Sequence, residues 1–209
     1  MRLYRAADFT RYYRRPATRV LAPAERRRRV AAVVALAERW LDRRLHSVLD
    51  LGCGLGLWGR RIRELRPSAS YLGFEPSPAA PALRRSRFEI RRGGAAAIAA
   101  LPPRRRFDLV LCVDVLHYLP AVEVDAVLAA LVPRTRGLFV GEVLTSAEEV
   151  EGDTRGFFRR TPTWWRERFA RWGLVGVGLH AYLPAERAQL AAALETLGAP
   201  RRPRRMPSA

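Results

Sequence analysis

The 209-residue sequence contains no lysine and no asparagine, so all of its 38 basic residues are arginine. The absence of lysine excludes the P-loop nucleotide-binding motif, pyridoxal Schiff-base chemistry and dehydrogenases that use a Tyr/Lys pair. Two cysteines are too few for a disulfide framework, and with the three histidines they show no zinc-ligand spacing. No apolar run reaches membrane-spanning length, and residues 1–15 lack the apolar run of a secretory signal. We therefore expect a reduced, cytoplasmic protein without a bound metal.

The net charge of +18 is concentrated at the two ends of the chain. Residues 1–29 carry ten arginines against two acids, and residues 198–209 carry four arginines and no acid. Such ends are typical of solvated segments. An alternative interpretation is that they form an arm that binds an anionic partner such as RNA. We predict an Arg-rich N-terminal segment over 1–29, one domain over 30–197 and a disordered basic tail over 198–209.

Short apolar runs alternate with apolar residues at helical spacing, which is the pattern of an alternating β/α domain. Continuous hydrophobicity in the first, fourth and fifth predicted strands indicates strands that are covered on both faces, as in a parallel sheet. The predicted strands are 47–51, 71–75, 88–91, 107–113 and 137–144. The pattern therefore predicts an α/β fold with a doubly wound, mostly parallel sheet.

The segment VLDLGCGLG, residues 48–56, contains the end of the first predicted strand and the glycine turn that follows it. Glycines at such a turn let a ligand approach the backbone closely. Gly54, Gly56 and Gly59 also satisfy the dinucleotide pattern G-x-G-x-x-G, which is weak evidence by itself. Asp50 favours a different ligand, because a carboxylate at the strand end repels a pyrophosphate and suits an ammonium group.

A second carboxylate, Glu75, ends the second predicted strand. At that place a carboxylate can accept hydrogen bonds from both hydroxyls of a ribose. Ligands of open parallel sheets bind over the carboxyl ends of the strands. We therefore expect the glycine turn, Glu75 and the end of the fourth strand at Cys112 and Val113 to converge on one crevice.

Three segments in this order, VLDLGCGLG, YLGFEPSP and FDLVLCVDVLHYLP, resemble the motifs of class I S-adenosylmethionine-dependent methyltransferases. The resemblance covers residues 45–145 and implies a Rossmann-like fold, an N-terminal helical lid, and S-adenosylmethionine as the cofactor, with S-adenosylhomocysteine as the product. The cofactor-binding residues that it implies are Tyr12, Asp50, Gly52, Cys53, Gly54, Glu75, Pro76, Gly94, Ala95, Cys112 and Val113.

The chain departs from the family pattern in two places. Family members often carry an acidic residue after the third strand, where this chain has Gly94 and Ala95, whose backbone N–H groups remain for the adenine. Beyond the fifth strand, residues 173–183 predict a sixth strand, and residues 184–197 predict a helix with proline at its first position. The sequence therefore leaves open whether the seventh strand is missing.

The resemblance implies an enzyme that transfers a methyl group to an O, N or C nucleophile, and the short chain favours a small-molecule acceptor. His117 and Trp164 are the candidate substrate contacts, and His117, Asp114 or water can take the proton of the nucleophile. Two alternatives stay open. One is an RNA or protein methyltransferase that uses the Arg-rich ends, and the other is a non-catalytic binding module of the same fold.

Overall fold

A computed structural model describes residues 3–15, 22–80, 82–149 and 156–190. Its strands are β1 (Ser47–Leu51), β2 (Ser70–Glu75), β3 (Leu83–Arg85), β4 (Phe88–Arg92), β5 (Phe107–Val113), β6 (Thr135–Glu142), β7 (Leu174–Gly178) and β8 (Ala181–Pro184). Its α-helices are α1 (Ala6–Phe9), α2 (Pro23–Leu41), α3 (Leu57–Leu65), α4 (Ala95–Ala99), α5 (Ala121–Leu131) and α6 (Pro162–Arg171). A π-helical turn, Thr10–Arg14, extends α1, and Leu116–Tyr118 forms a 3-10 helix.

The strands form one sheet in the order β3-β4-β2-β1-β5-β6-β8-β7. The five strands from β4 to β6 run parallel, whereas β3 and β8 run antiparallel to their neighbours. In β1, Asp50 lies opposite Gly73 of β2 and Leu111 of β5. The chain leaves β1 toward β2 and later returns to β5 on the other side, so the carboxyl ends of β1, β2 and β5 border one crevice.

Helices cover both faces of the sheet, which confirms the predicted doubly wound fold. Helices α2 and α3 bury Val30 and Ile62 in one apolar cluster. Helices α4, α5 and α6 bury Ile98, Leu128 and Phe169 in the cluster on the opposite face. The central strands β1 and β5 are largely apolar because their alternate side chains lie in these two clusters.

The seventh strand is present, and the predicted helix over 184–197 is wrong where the structure describes it. The run 173–183 divides into β7 and β8 at a two-residue turn in which Leu179 and His180 have φ angles of 54° and 56°. Two successive positive φ angles make the tight hairpin turn that glycine or asparagine usually marks. Neither residue type occurs at these two positions, so the turn has no signal in the sequence. Pro184 ends β8, and residues 191–197 lie outside the described part of the chain.

Other predicted boundaries differ from the structure by small amounts. β1 and β5 agree, β6 begins and ends two residues before its predicted limits, and the short edge strand β3 was not predicted. Helix α2 crosses the predicted boundary at residues 29 and 30. The tail 198–209 lies outside the described residues. Among the described helices, none is both long and apolar enough to cross a bilayer.

Candidate active site

A cavity of about 700 Å³ opens at the carboxyl ends of β1, β2, β5 and β6. Asp50 and Gly52 line it from β1 and the glycine turn, Glu75 from β2, and Asp114 from the residue after β5. The N-terminal helical segment forms another wall, through the aromatic residues Tyr4, Phe9, Tyr12 and Tyr13. This volume lies within the range typical of sites for cofactors and small ligands.

The glycine turn has a backbone that other residues would strain. Gly52 has a φ of +73°, and a Cβ at this position would lie 2.2 Å from a methyl carbon of Val115. Gly56, with a φ of +69°, begins α3, and a Cβ there would lie 2.7 Å from Ile90. Any residue other than glycine would therefore clash with its neighbours at Gly52 and at Gly56. Without these side chains, the backbone of the turn itself borders the cavity.

Glu75 connects the glycine turn to the end of β2 through hydrogen bonds of its side chain. Its Oε2 accepts a hydrogen bond from the Gly54 N–H at 2.9 Å, and its Oε1 accepts one from the Ser77 N–H at 3.0 Å. Burial raises the pKa of the Glu75 carboxyl, and these two N–H donors oppose that rise. Each carboxylate oxygen keeps a second lone pair for a ligand in the cavity.

Asp50 is held beneath the turn by a buried tyrosine. The Tyr71 hydroxyl donates to Asp50 Oδ2 at 2.6 Å, and the Tyr71 ring stacks on Phe88 with 4.8 Å between centroids. Burial, followed by the charge of Glu75, raises the pKa of Asp50 to about 7, although the Tyr71 hydrogen bond opposes the rise. The site therefore presents two carboxylates in a poorly solvated wall, which favours a cationic ligand group.

A second pair of carboxylates lies at the ends of β5 and β6. The Asp114 N–H donates to the Glu142 carbonyl oxygen at 3.1 Å, and Arg29 of α2 forms an ion pair with the Glu142 side chain at 2.6 Å. Asp114 has a φ of 56°, and its side chain is exposed in the cavity. Desolvation, followed by the charge of Glu142, raises the pKa of Asp114 to about 7, and the charge of Arg29 opposes this rise.

His117 is fully buried in the wall beside this pair. Its Nδ1 accepts a hydrogen bond from the Leu144 N–H at 3.2 Å, and burial lowers its pKa to about 4. The ring is therefore neutral near pH 7 and carries its proton on Nε2. Within the described part of the chain Nε2 has no hydrogen-bond partner, so the site contains one unused donor.

Most residues that the sequence predicts for the site border this cavity, and three do not. Gly54 lies beneath Phe9 and Tyr13, and its N–H is taken by Glu75. Cys112 is buried in the core, and Trp164 packs against the guanidinium groups of Arg160 and Arg168, outside the cavity wall. Those lining the cavity are Tyr12, Asp50, Gly52, Cys53, Glu75, Pro76, Gly94, Ala95, Val113 and His117.

Neither cysteine is activated for nucleophilic chemistry. Burial raises the pKa of the Cys53 and Cys112 thiols, and neighbouring carboxylates raise it further. Both side chains therefore stay protonated and pack as small apolar groups.

Sequence reasoning missed Glu142 and Arg29. Glu142 ends β6, but the predicted strand ran on to Leu144 and so placed this carboxylate inside a strand. Arg29 was assigned to a solvated segment, whereas its position on α2 brings it to Glu142. An acidic residue near the end of a predicted parallel strand was the signal that could have identified Glu142.

Residues 49–136 match the model of a methyltransferase domain family. Among solved structures, the chain is similar to CalS10, an amino pentose methyltransferase from Micromonospora echinaspora, with a TM-score of 0.58 and 18% identity over 75% of this chain and 89% of that one. It is also similar to DesVI from Streptomyces venezuelae, with a TM-score of 0.60 and 14% identity over 78% and 93% of the two chains.

A third similar structure is the plantazolicin methyltransferase BamL, with a TM-score of 0.57 and 14% identity over 75% of this chain and 68% of that one. No curated protein sequence matches the chain. The structural similarities establish the shared fold, and the family model covers the segment that carries all three sequence motifs. Residues 49–136 therefore match a methyltransferase domain, and the chain shares the Rossmann-like fold of these solved methyltransferases.

Proposed function

We propose that the enzyme methylates a small-molecule acceptor inside the cavity at the carboxyl edge of the sheet. The observation that carries the proposal is the wall formed by the N-terminal segment, in which Phe9 and Tyr12 are buried. An acceptor that reaches the end of β5 must fit under this wall, which favours a small molecule over an RNA or protein surface. CalS10 is an amino pentose methyltransferase, which agrees with a small acceptor.

The residues around the glycine turn fit S-adenosylmethionine. The Gly52 backbone borders the cavity and suits the methionine part, and the Asp50 carboxylate suits its ammonium group. The Glu75 oxygens suit the two ribose hydroxyls, and the open space above Gly94 suits the adenine, beside Pro76. When bound there, the cofactor supplies a methyl group activated by a sulfonium.

The protein's part in this reaction is positioning and exclusion of water. Alignment of the nucleophile with the methyl group can lower the barrier by about 7–11 kcal/mol. Tyr13 lies over the glycine turn with its hydroxyl 3.6 Å from the position of a Cβ at Gly54, and burial raises the pKa of that hydroxyl. We assign His117 to binding of the methyl-acceptor substrate and not to the role of general base. Its Nε2 already carries a proton, so this nitrogen can donate a hydrogen bond but cannot take up a proton.

The proposal is tested with S-adenosylmethionine carrying a radioactive methyl group. The enzyme is incubated with a cell extract that has been separated into a small-molecule and a macromolecular fraction. We expect label to enter the small-molecule fraction only. Label confined to RNA or protein would overturn the proposal in favour of the macromolecular alternative.

A deletion of residues 198–209 separates the same alternatives. If the four arginines of the tail are not part of the site, the shortened enzyme should keep its S-adenosylhomocysteine affinity and its turnover of a small acceptor. An RNA arm behaves differently, because each lost phosphate contact reduces the slope of log K against log salt by about 0.7–0.9 units. Loss of activity on deletion of the tail, with RNA as the labelled acceptor, contradicts this expectation.

The elevated pKa of Asp50 predicts proton release when the ligand binds. Because burial raises the pKa of Asp50 to about 7, part of the unliganded protein holds this proton at pH 7. A neighbouring ammonium group lowers that pKa, so binding should release a fraction of a proton. Calorimetry with S-adenosylhomocysteine in two buffers of different ionisation enthalpy measures this quantity. The release should vanish in Asp50→Asn and persist in the surface variant Glu64→Gln, and a release that survives in Asp50→Asn contradicts the assignment.

A further inference from the structure

The cavity is acidic although the protein is strongly basic. The chain carries a net charge of +18, yet carboxylates outnumber guanidinium groups among the described residues that line the cavity. The carboxylates are Asp50, Glu75, Asp114, Glu123, Glu142 and Glu149, and the guanidinium groups are Arg26 and Arg29. Asp50 and Glu75 are assigned above to the cofactor, so the excess negative charge lies in the other half of the cavity.

Asp114 is the carboxylate of that half that directly follows β5, the strand beside β1. In the described part of the chain no hydrogen bond or ion pair reaches its side chain, and the same holds for Glu123 and Glu149. Arg29 forms its ion pair with Glu142, at 2.6 Å, and acts on Asp114 only as a nearby charge. The left-handed backbone at Asp114 is sparsely populated for residues other than glycine, and such conformations cluster at ligand sites. A carboxylate held in this way binds a cation more favourably than a neutral group.

His117 supplies a second and independent sign of a ligand. Its side chain is completely buried, lines the same cavity and has an unused Nε2–H donor. A buried donor without a partner is unfavourable by roughly 1–3 kcal/mol. An oxygen of a bound molecule would offset this after a small rotation of the ring, because Nε2 itself lies just below the cavity surface. The wall at the end of β5 therefore offers a negative charge at Asp114 and a hydrogen-bond donor at His117.

We propose that the methyl acceptor is an aliphatic amine that carries a hydroxyl or ether oxygen, with its ammonium group on Asp114 and that oxygen on His117. The inference rests on the proposed function and specifies its substrate class. Asp114 then acts as a catalytic residue that touches the reacting nitrogen.

The chemistry balances with Asp114 as the proton acceptor. The ammonium group passes one proton to an Asp114 carboxylate oxygen, which leaves a neutral amine with a free lone pair. The nitrogen lone pair forms the new N–C bond to the methyl carbon, while the C–S bond breaks and its electron pair stays on sulfur. The product is a methylated ammonium ion and a neutral thioether, and Asp114 returns its proton to water in the cavity.

Binding of a matched pair of probes to the S-adenosylhomocysteine complex tests this inference without turnover. Choline carries a quaternary ammonium group and a hydroxyl, and 3,3-dimethylbutan-1-ol has the same shape with carbon in place of nitrogen. We expect wild-type enzyme to bind choline about tenfold more tightly than the neutral alcohol, a difference of about 1.4 kcal/mol. Asp114→Asn should reduce that preference to about twofold or less, whereas the control Glu64→Gln, on the surface of α3, should keep it.

Two further measurements on the same samples distinguish the contribution of the Asp114 carboxylate to choline binding from that of the aromatic rings. They also distinguish a lost contact from an unfolded variant. Aromatic rings also attract quaternary ammonium groups, but Asp114→Asn leaves those rings unchanged, so the loss of preference isolates the carboxylate. Asp114→Glu restores the charge and should recover part of the preference, and thermal melting of each variant confirms that it is folded. The S-adenosylhomocysteine affinity of Asp114→Asn should stay within about twofold of wild type.

Each remaining outcome overturns the inference. Equal affinity for the two probes, including no measurable affinity for either, excludes a cation site. A preference that persists in Asp114→Asn places the cation elsewhere, and an equal loss of S-adenosylhomocysteine affinity assigns Asp114 to the cofactor. If wild-type protein does not bind S-adenosylhomocysteine, both the proposed function and this inference are wrong. If it binds S-adenosylhomocysteine but shows no preference for choline, only this inference is wrong.

Discussion

Glu75→Ala is expected to bind S-adenosylhomocysteine at least tenfold more weakly than wild-type protein. Both oxygens of Glu75 already fix the turn through the Gly54 and Ser77 N–H groups, so their remaining lone pairs point at a rigidly held position. Each charge-assisted hydrogen bond to a ribose hydroxyl is worth roughly 1.5–3 kcal/mol, and loss of both would lower affinity about a hundredfold or more. Titration calorimetry measures this change directly.

Two variants separate ligand contact from the integrity of the turn. Glu75→Gln keeps one oxygen that can accept a hydrogen bond, so it should lose less affinity than Glu75→Ala. Glu64→Gln removes an exposed carboxylate that pairs with Arg61 and should leave affinity unchanged. Affinity in Glu75→Ala equal to that of wild type would show that Glu75 does not hold the ribose.

Asp108→Ala is expected to destabilise the fold by about 3 kcal/mol, more than removal of any surface carboxylate, because it loses three hydrogen bonds to a charged acceptor. Asp108 is completely buried at the start of β5, where it accepts two hydrogen bonds from Arg43, at 2.7 and 2.9 Å, and one from the His46 N–H at 2.9 Å. Alanine would remove these three hydrogen bonds, although the exposed guanidinium of Arg43 can then bind water. For a protein of this size, such a loss lowers Tm by roughly 6–12 °C, which differential scanning calorimetry can measure.

The same carboxylate predicts a pH dependence of stability. Burial opposes ionisation of Asp108, but Arg43 and the His46 N–H outweigh it and hold the pKa of Asp108 below its usual value. The stabilisation is therefore complete above the unfolded pKa of about 3.9 and is lost as the pH falls through the lower, folded value. As a control, Glu186→Ala removes an exposed partner of Arg106 and should change stability by less than about 1 kcal/mol. A similar Tm for Asp108→Ala and Glu186→Ala would contradict the prediction.

The alternating fold and the position of the crevice could be predicted from the sequence, because both follow from local patterns. Continuous apolar runs predicted β1 and β5 at their observed limits, since strands buried on both faces need apolar residues throughout. The glycine turn and Glu75 were found because a close backbone approach and a strand-end carboxylate are each encoded within a few residues. These motifs also lie almost entirely within the segment that matches a methyltransferase domain.

The hairpin of β7 and β8 could not be predicted, because Leu179 and His180 adopt positive φ angles that their residue types disfavour. The strand pairing of β8 with β6 and β7 holds them in this conformation, and that pairing is a tertiary effect. Trp164 is a similar case. Its spacing placed it off the core stripe of α6, but only the fold brings Arg160 and Arg168 onto its ring.

The sequence by itself determined which residues can reach the carboxyl edge of the sheet, since strand ends and turns are local features. Only the tertiary structure decided the charge of the cavity, because the charge depends on which distant side chains are neutralised. Arg29 and Glu142 are 113 positions apart in the chain, and their ion pair neutralises Glu142 but forms no contact with Asp114. The tautomer of His117 depends in the same way on the Leu144 N–H, a contact that forms only when β6 lies beside β5.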